Sequence, residues 1–143
     1  MRKMLLPIDS ENVPEKVMAY LKDFVTGMQY EVTLLNVISA ERIRMNREAR
    51  GVYDVVELDL DTPSKAMLTT FEAKLRAEGI NSINVISATG DPADVIVKTA
   101  DSGGFHLIMM CTHGMGAAKR LLIGSVTNKV VHHSEVPVLV IRE

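Results

Sequence analysis

The feature that most constrains this fold is a strict alternation of short apolar runs with segments of helical periodicity. Each run is bounded by turn residues, which predicts buried strands rather than helices. The five predicted strands are Met4–Ile8, Val32–Ile38, Ile83–Ile86, Leu107–Cys111 and Val136–Ile141. Because parallel neighbours need a crossover, the alternation predicts an α/β fold, a doubly wound parallel sheet of five strands with four helices. Runs without polar alternation favour a sheet that is covered on both faces.

Turn and cap residues place the predicted helices between these strands. Pro14 suits the first turn of the first helix, and Gly79 ends the second. Asp91 is predicted as the N-cap of the third helix, with Pro92 at its first position. The fourth helix is predicted to start near Gly124–Ser125.

The segment from Ser39 to Asp61 has weaker periodicity and an uneven charge distribution. Its first half is basic and its second half acidic, which predicts a long, partly helical crossover. Charge patterns of this kind are mostly solvated surface, and a partner or regulatory site is the alternative. The charged residues are Arg42, Arg44, Arg47, Arg50, Asp54, Glu57, Asp59 and Asp61.

Composition narrows the function classes. The 143 residues match one domain, predicted over 1–143, and the net charge of −2 argues against a nucleic-acid binder. Aromatic residues make up 4% without a Trp, so a base-stacking platform is not expected. One cysteine excludes an intrachain disulfide and a cysteine-rich zinc site. With no targeting signal and no apolar stretch of about 18 residues, a cytoplasmic protein without membrane contact is expected.

Candidate ligand-binding residues follow three of the predicted strands. In a doubly wound sheet, ligands bind beyond the carboxyl ends of the strands where the strand order reverses. The segments expected at that edge are Asp9–Ser10, Val37–Ser39 and Thr112–Gly116.

The loop after the fourth strand is suited to phosphate. Gly114 and Gly116 permit close backbone approach, although a Gly-x-Gly pair is also typical of a flexible turn. Gly124, Ser125 and Thr127 lie at a predicted helix start, where free N–H groups favour anions. Two familiar motifs are excluded. A P-loop requires a Gly-Lys-[Ser/Thr] sequence, and a dinucleotide fingerprint requires a third glycine where Lys119 stands.

This loop resembles the nucleotide loop of the universal stress protein family, whose ATP-binding members have Gly-x2-Gly-x9-Gly-[Ser/Thr]. Gly114, nine residues and Gly124-Ser125 match the last two elements, whereas Cys111 stands where binding members have the first glycine. Family members that do not bind ATP have lost glycines from this motif. The resemblance spans the whole chain and also includes Leu5–Ser10, Leu34–Val37, Gly90–Pro92, Leu122–Thr127 and Val136–Ile141.

The resemblance implies a flavodoxin-like sheet of order 3-2-1-4-5. It also implies that Asp9 contacts a ribose, that the Val37 backbone contacts adenine, and that Gly114, Gly124, Ser125 and Thr127 hold phosphates. ATP or AMP is the expected ligand, with Mg²⁺ or Mn²⁺ only beside a bound triphosphate. The full expected set is Pro7, Ile8, Asp9, Val37, Thr112, His113, Gly114, Gly116, Gly124, Ser125, Val126 and Thr127.

Several of these residues also have simpler interpretations. Asp9 is suited to capping a turn, and His113 to an exposed loop. Cys111 is predicted as a small buried apolar residue and not as a nucleophile. His132 and His133 are expected to interact with the dipole at the end of the last helix, and a metal role is not expected.

Three functions follow from these observations. The first is a stress-response sensor or regulator that binds an adenine nucleotide. The second is a dimeric interaction module without nucleotide, and the third is a slow ATPase. No catalytic constellation is visible, and only Asp9 and His113 are candidates for such chemistry. The apolar last strand, Val136–Ile141, is expected at a sheet edge and predicts a homodimer, with a further protein partner left unidentified.

Overall fold

The computed structural model describes residues 1–9, 13–49, 61–112 and 123–142. Its elements alternate along the chain as the apolar runs predict. The strands are β1 (Arg2–Pro7), β2 (Tyr30–Ile38), β3 (Ile83–Thr89), β4 (Leu107–Thr112) and β5 (Val138–Arg142). The helices are α1 (Glu15–Met28), α2 (Ala40–Ala49), α3 (Asp61–Ala77), α4 (Pro92–Ser102) and α5 (Ser125–His133).

The five strands form one parallel sheet in the order β3-β2-β1-β4-β5. The predicted fold class and the order implied by the family resemblance are therefore confirmed. The described chain has one helix more than the four predicted, because α2 forms in the segment expected to be partly helical. Most of the acidic half of that segment, residues 50–60, lies outside the described residues.

Two apolar cores lie on opposite faces of the sheet. Successive residues of β1 point to opposite sides, so Met4 and Leu6 join one core and Leu5 joins the other. The first core packs α1 and α3 through Leu21, Phe71 and Leu75. The second packs α4 and α5 through Ile96 and Val130. Burial on both faces explains why the strands have unbroken apolar sequences.

Local signals place the helix ends close to their predicted positions. The Asp91 carboxylate accepts a 3.0 Å hydrogen bond from the Asp94 N–H, and Pro92 opens α4. Gly79 follows α3 with a φ of 86°, a left-handed conformation that favours glycine. Pro14 is the N-cap of α1 and lies one residue before its first turn.

The last strand begins later than predicted. Regular β5 starts at Val138, two residues after the predicted start at Val136, because Pro137 has no N–H to donate to the ladder. The Pro137 carbonyl still accepts a 2.9 Å hydrogen bond from the Ile108 N–H. Among the described helices, none is both long and apolar enough to cross a membrane.

Candidate functional site

A cleft lies at the carboxyl edge of the sheet, between the ends of β1 and β4. The chain passes from β1 outward through β2 and β3, and then crosses to β4 on the other side of β1. The strand order therefore reverses at this point, which is where doubly wound sheets bind ligands. The cleft has a volume of about 200 Å³ and is lined by Ile8, Asp9, Val37, Pro92, Ile96, Met110, Cys111, Val126 and Thr127.

The cleft lies beyond the paired part of β1 and β4. Met4 pairs with Leu107 and Leu5 with Ile108, whereas β4 continues to Thr112. Beyond these pairs, Ile8 and Asp9 line the cleft together with Met110 and Cys111.

Val37 lies on the β2 side of the cleft. The last β2 residue in register with β1 is Leu35, opposite Pro7, while Val37 still pairs with Ala88 of β3. Leu35 accepts a hydrogen bond from the Ile8 N–H, so alternate β2 residues, including Val37, direct their backbone groups towards the β1 side. The Val37 backbone therefore faces the space beyond the end of β1.

The first turn of α5 forms another wall. Its N-cap is Gly124, with a φ of 84°, and no side chain of the described residues is seen to cap the helix. The first bond within the helix is donated by Asn128 to the Gly124 carbonyl, so the N–H groups before Asn128 have no partner within α5. Val126 and the buried Thr127 line the cleft from this turn. An uncapped helix start at a cleft is suited to an anion.

The start of α4 differs from that of α5, because the side chain of its N-cap residue accepts a hydrogen bond from the first turn. Asp91 fills the N-cap, and Lys129 of α5 forms ion pairs with Asp91 at 3.2 Å and with Asp94 at 2.9 Å. The Asp94 N–H and the Lys129 ammonium lower the pKa of Asp91, and the two carboxylates raise the pKa of Lys129. These contacts tie α4 to α5 at the rim of the cleft.

Asp9 and Cys111 are the titratable side chains of the cleft lining. Burial, followed by the charge of Asp9, raises the pKa of the Cys111 thiol to about 11. The thiol is therefore protonated at neutral pH, as expected for a small apolar residue and not for a nucleophile. Cys111 is half-buried: it packs against the first core and is also one of the residues that line the cleft.

A buried polar cluster behind the cleft was not predicted from the sequence. The Asn36 Nδ2 donates to the Ile8 carbonyl at 2.8 Å, and the Ser64 hydroxyl donates to the Asn36 Oδ1 at 2.7 Å. The Ser87 hydroxyl lies 2.9 Å from the Ser64 hydroxyl. The available signal was Asn36 itself, a polar residue within the apolar run of β2.

The structure brings five of the expected residues together and adds others. Ile8, Asp9, Val37, Val126 and Thr127 line the cleft. Pro7, Thr112, Gly124 and Ser125 adjoin it along the chain, and the Thr112 hydroxyl donates a long 3.4 Å bond to the Ile141 carbonyl. His113, Gly114 and Gly116 lie outside the described residues. Sequence reasoning missed Pro92, Ile96 and Met110, whose apolar side chains resemble ordinary core.

Other polar features of the chain lie apart from this cleft. The Nδ1 atoms of His132 and His133 donate to the Asn128 and Lys129 carbonyls, at 2.7 and 2.8 Å, as expected at a helix end. Within the described ranges, no three His, Cys, Asp or Glu side chains are grouped to hold a metal. A wider cavity of about 400 Å³ borders Lys3 and Glu31 at the opposite edge of the sheet.

Comparison with known proteins identifies the family and supports the fold. The sequence model of the universal stress protein family matches residues 1–142. The chain belongs to the universal stress protein family. One relative within the family, universal stress protein MJ0577 of Methanocaldococcus jannaschii, is 29% identical over 154 residues, which cover 99% of this chain and 94% of that protein.

Solved structures agree with this assignment. The structure of hypothetical protein MJ0577 has a TM-score of 0.77 at 30% identity, over 99% of this chain and 96% of that one. A universal stress protein in complex with cAMP has a TM-score of 0.69 at 20% identity, over 99% and 96%. An Arabidopsis thaliana family protein with AMP bound has a TM-score of 0.65 at 19% identity, over 100% and 92%. At 20% and 19% identity, the last two similarities show a shared fold and nothing beyond it.

Proposed function

We propose that this chain binds an adenine nucleotide in the cleft between β1 and β4 and acts as a stress-response sensor or regulator. The main support is the start of α5, whose first N–H groups have no partner within the helix and border a cleft at the reversal of strand order. Two family structures with the same fold hold cAMP and AMP. Because backbone amides, and not cationic side chains, would hold the phosphates, the net charge of −2 is compatible with phosphate binding.

Each part of the nucleotide has a proposed contact. The phosphates lie at Gly124, Ser125 and Thr127, where helix N–H groups and hydroxyls donate. The ribose hydroxyls donate to the Asp9 carboxylate at the end of β1. The adenine base bonds to the Val37 backbone and packs against apolar walls such as Ile96 and Val126. Pro7, Ile8 and Thr112 frame these contacts, and His113, Gly114 and Gly116 remain expected phosphate-binding residues.

A divalent cation fits this arrangement only together with a triphosphate. Mg²⁺ is usually held by one or two carboxylates plus phosphate oxygens and waters. Asp9 is the carboxylate among the described lining residues of the cleft. Since Asp9 is proposed to accept from the ribose, phosphate oxygens and waters would hold Mg²⁺ or Mn²⁺ when ATP is bound, and the ion would neutralise phosphate charge. Slow ATP hydrolysis would instead need a side chain such as Asp9 or His113 at the terminal phosphate, and turnover measured with and without Mg²⁺ tests it.

Two measurements test nucleotide binding directly. Purified protein is denatured and its supernatant analysed by mass spectrometry, and adenine nucleotide at near-stoichiometric amount is the expected result. Protein freed of bound nucleotide is titrated with AMP, ADP and ATP by calorimetry, with GMP as the control for base recognition. No heat with any adenine nucleotide, at protein concentrations well above micromolar, would contradict the proposal.

We further infer that the chain forms a homodimer through β5. This strand is at the sheet edge and pairs with β4 on one side. Because the Pro137 carbonyl bonds to β4, strand alternation directs the backbone groups of Val138 and Val140 outward. Apolar edge strands favour pairing with a second chain. A closed two-fold pairing of β5 with its copy is the simplest assembly.

The alternative function is a dimeric interaction module that binds no nucleotide. Cys111 favours it, since this residue lines the cleft at the position where ATP-binding family members have glycine. Under either function we treat residues 1–143 as one domain, because the sheet uses strands from Arg2 to Arg142. The single cysteine agrees with a cytoplasmic location. A protein partner would then recognise the dimer.

A further inference from the structure

The buried polar cluster of Asn36, Ser64 and Ser87 has a single possible direction of hydrogen bonding. The Ile8 carbonyl can only accept, so the Asn36 side chain presents its Nδ2 to it. The Asn36 Oδ1 then accepts the Ser64 proton, which obliges the Ser87 hydroxyl to donate to Ser64. Asn36 and Ser64 are 3% and 5% exposed, so water does not compete strongly for these bonds. The amide orientation of Asn36 is therefore fixed.

The Ile8 carbonyl is also the next acceptor in the ladder between β1 and β2. The Ile8 N–H donates to the Leu35 carbonyl at 2.8 Å. In a regular parallel ladder, the following bond would join the Val37 N–H to the Ile8 carbonyl. The Asn36 side chain donates to this carbonyl, and the backbone hydrogen bonds of the described residues do not include one from the Val37 N–H to it. Beyond this point β2 continues beside β3, as far as the pair of Ile38 with Thr89.

We propose that Asn36 is a positioning residue that ends the β1–β2 ladder and keeps the Val37 N–H available to the adenine base. This inference rests on the proposed nucleotide-binding function. Asn36 itself points to the α3 side of the sheet, where it meets Ser64, and not into the cleft. Asn36 acts through the backbone. It donates to the Ile8 carbonyl, so that the Val37 N–H does not bond to this carbonyl and stays available to the ligand.

The cluster also explains why the bond from Asn36 to the Ile8 carbonyl is expected to persist when no nucleotide is bound. Ser64 belongs to α3 and Ser87 to β3, so the Asn36 amide is held by two elements that pack in the same core. Removal of the donor would leave the buried Ile8 carbonyl unsatisfied, and the nearest remaining donor in the ladder is the Val37 N–H. Loss of Asn36 should thus draw Val37 into the ladder and away from the cleft.

The test compares Asn36→Leu with the control Ser87→Ala. Leucine approximates the shape of asparagine but cannot donate, whereas Ser87 belongs to the cluster without touching Ile8. Through-hydrogen-bond NMR couplings between the Val37 amide nitrogen and the Ile8 carbonyl carbon report the ladder bond directly. The coupling is expected to be absent in the natural protein and in Ser87→Ala, and present in Asn36→Leu.

AMP affinity provides the second readout. We expect Asn36→Leu to raise the dissociation constant of AMP by about five- to tenfold, the effect of one hydrogen bond. Ser87→Ala should change it less than about twofold, although both variants lose stability. If Asn36→Leu does not fold, Ser64→Ala replaces it, since it frees the Asn36 amide, and its loss of affinity must exceed that of Ser87→Ala.

The outcomes separate this inference from the proposed function. A Val37–Ile8 coupling in the natural protein, or equal AMP affinity in Asn36→Leu and Ser87→Ala, overturns the positioning role of Asn36. Absence of binding of AMP, ADP and ATP to the natural protein contradicts the proposed function, and with it a role of Asn36 towards adenine. The NMR coupling, measured without nucleotide, then still decides whether Asn36 ends the ladder.

Discussion

Asp9, two residues beyond β1, and Cys111, near the end of β4, face the same cleft, and the charge of Asp9 adds to burial in raising the thiol pKa to about 11. A protonated thiol is small, neutral and weakly polar. In the lining of the cleft, Cys111 therefore contributes volume without charge, and Asp9 contributes the charge that acts on the thiol.

The raised pKa predicts slow, strongly alkaline alkylation of Cys111. Only the thiolate reacts, so the rate should rise as pH approaches about 11, above the ordinary value of 9.0. Iodoacetamide labelling followed by mass spectrometry measures this, and the chain's single cysteine makes the signal unambiguous. Urea-unfolded protein is the control. If the alkylation rate of the folded protein reached half of its maximum near pH 9, this would refute the effect of burial and Asp9 on the thiol pKa.

Replacing Cys111 by glycine should strengthen nucleotide binding. The substitution removes the side chain of a residue that lines the cleft and restores the residue found in ATP-binding family members. We expect the ATP dissociation constant to fall by about tenfold, measured by calorimetry; this equals roughly 1.4 kcal/mol. Cys111→Ala is the matched control and should give a smaller gain. If both variants bind ATP no better than the natural protein, side-chain volume at this position does not limit affinity.

The conformation of Gly124 predicts an asymmetry between two glycines. Gly124 has a φ of 84°, whereas Gly27 lies within α1, and a Cβ added at either would meet no atom within 4 Å. Because its φ of 84° and ψ of 152° lie in a region that essentially only glycine adopts, Gly124→Ala should cost about 1–3 kcal/mol through backbone strain alone, and should weaken AMP binding at the start of α5. Gly27→Ala should instead stabilise the protein by up to about 1 kcal/mol.

Urea denaturation and AMP titration of both variants check this asymmetry. Gly27→Ala serves as the control, because it adds the same methyl group far from the cleft. Equal stability changes in the two variants would mean that the backbone conformation of Gly124 imposes no special requirement. Unchanged AMP affinity in Gly124→Ala would argue against phosphate binding at the start of α5.

The proposed dimer predicts different effects of proline on the two sheet edges. Val140 of β5 and Val85 of β3 both direct their N–H groups away from the sheet, so proline removes no ladder donor at either. Light scattering at tens of micromolar should give about twice 15.8 kDa for the natural protein and for Val85→Pro. Val140→Pro should approach the monomer mass. A natural monomer, or a dimer lost with Val85→Pro instead, would contradict assembly through β5.

Much of the fold could be predicted from local patterns. Apolar runs such as Leu107–Cys111 indicate strands buried on both faces, and Asp91-Pro92 indicates a helix start, because caps and turns depend on adjacent residues. Strand ends were less predictable: β3 reaches Thr89, beyond the apolar run that ends at Ile86. Its length depends on pairing with β2, which is a property of the sheet.

The candidate site, like the fold, was predictable where it depends on adjacent residues and not where it depends on tertiary contacts. The sequence by itself determined that Asp9, Val37 and Thr127 stand at strand ends or a helix start, because these positions follow from local periodicity. Only the tertiary structure decided that Asn36 of β2 bonds to the Ile8 carbonyl beyond β1, and that the Asp9 charge acts on Cys111. Such contacts join residues 28 positions apart or more, and their energies depend on burial and on distances that a sequence pattern does not contain.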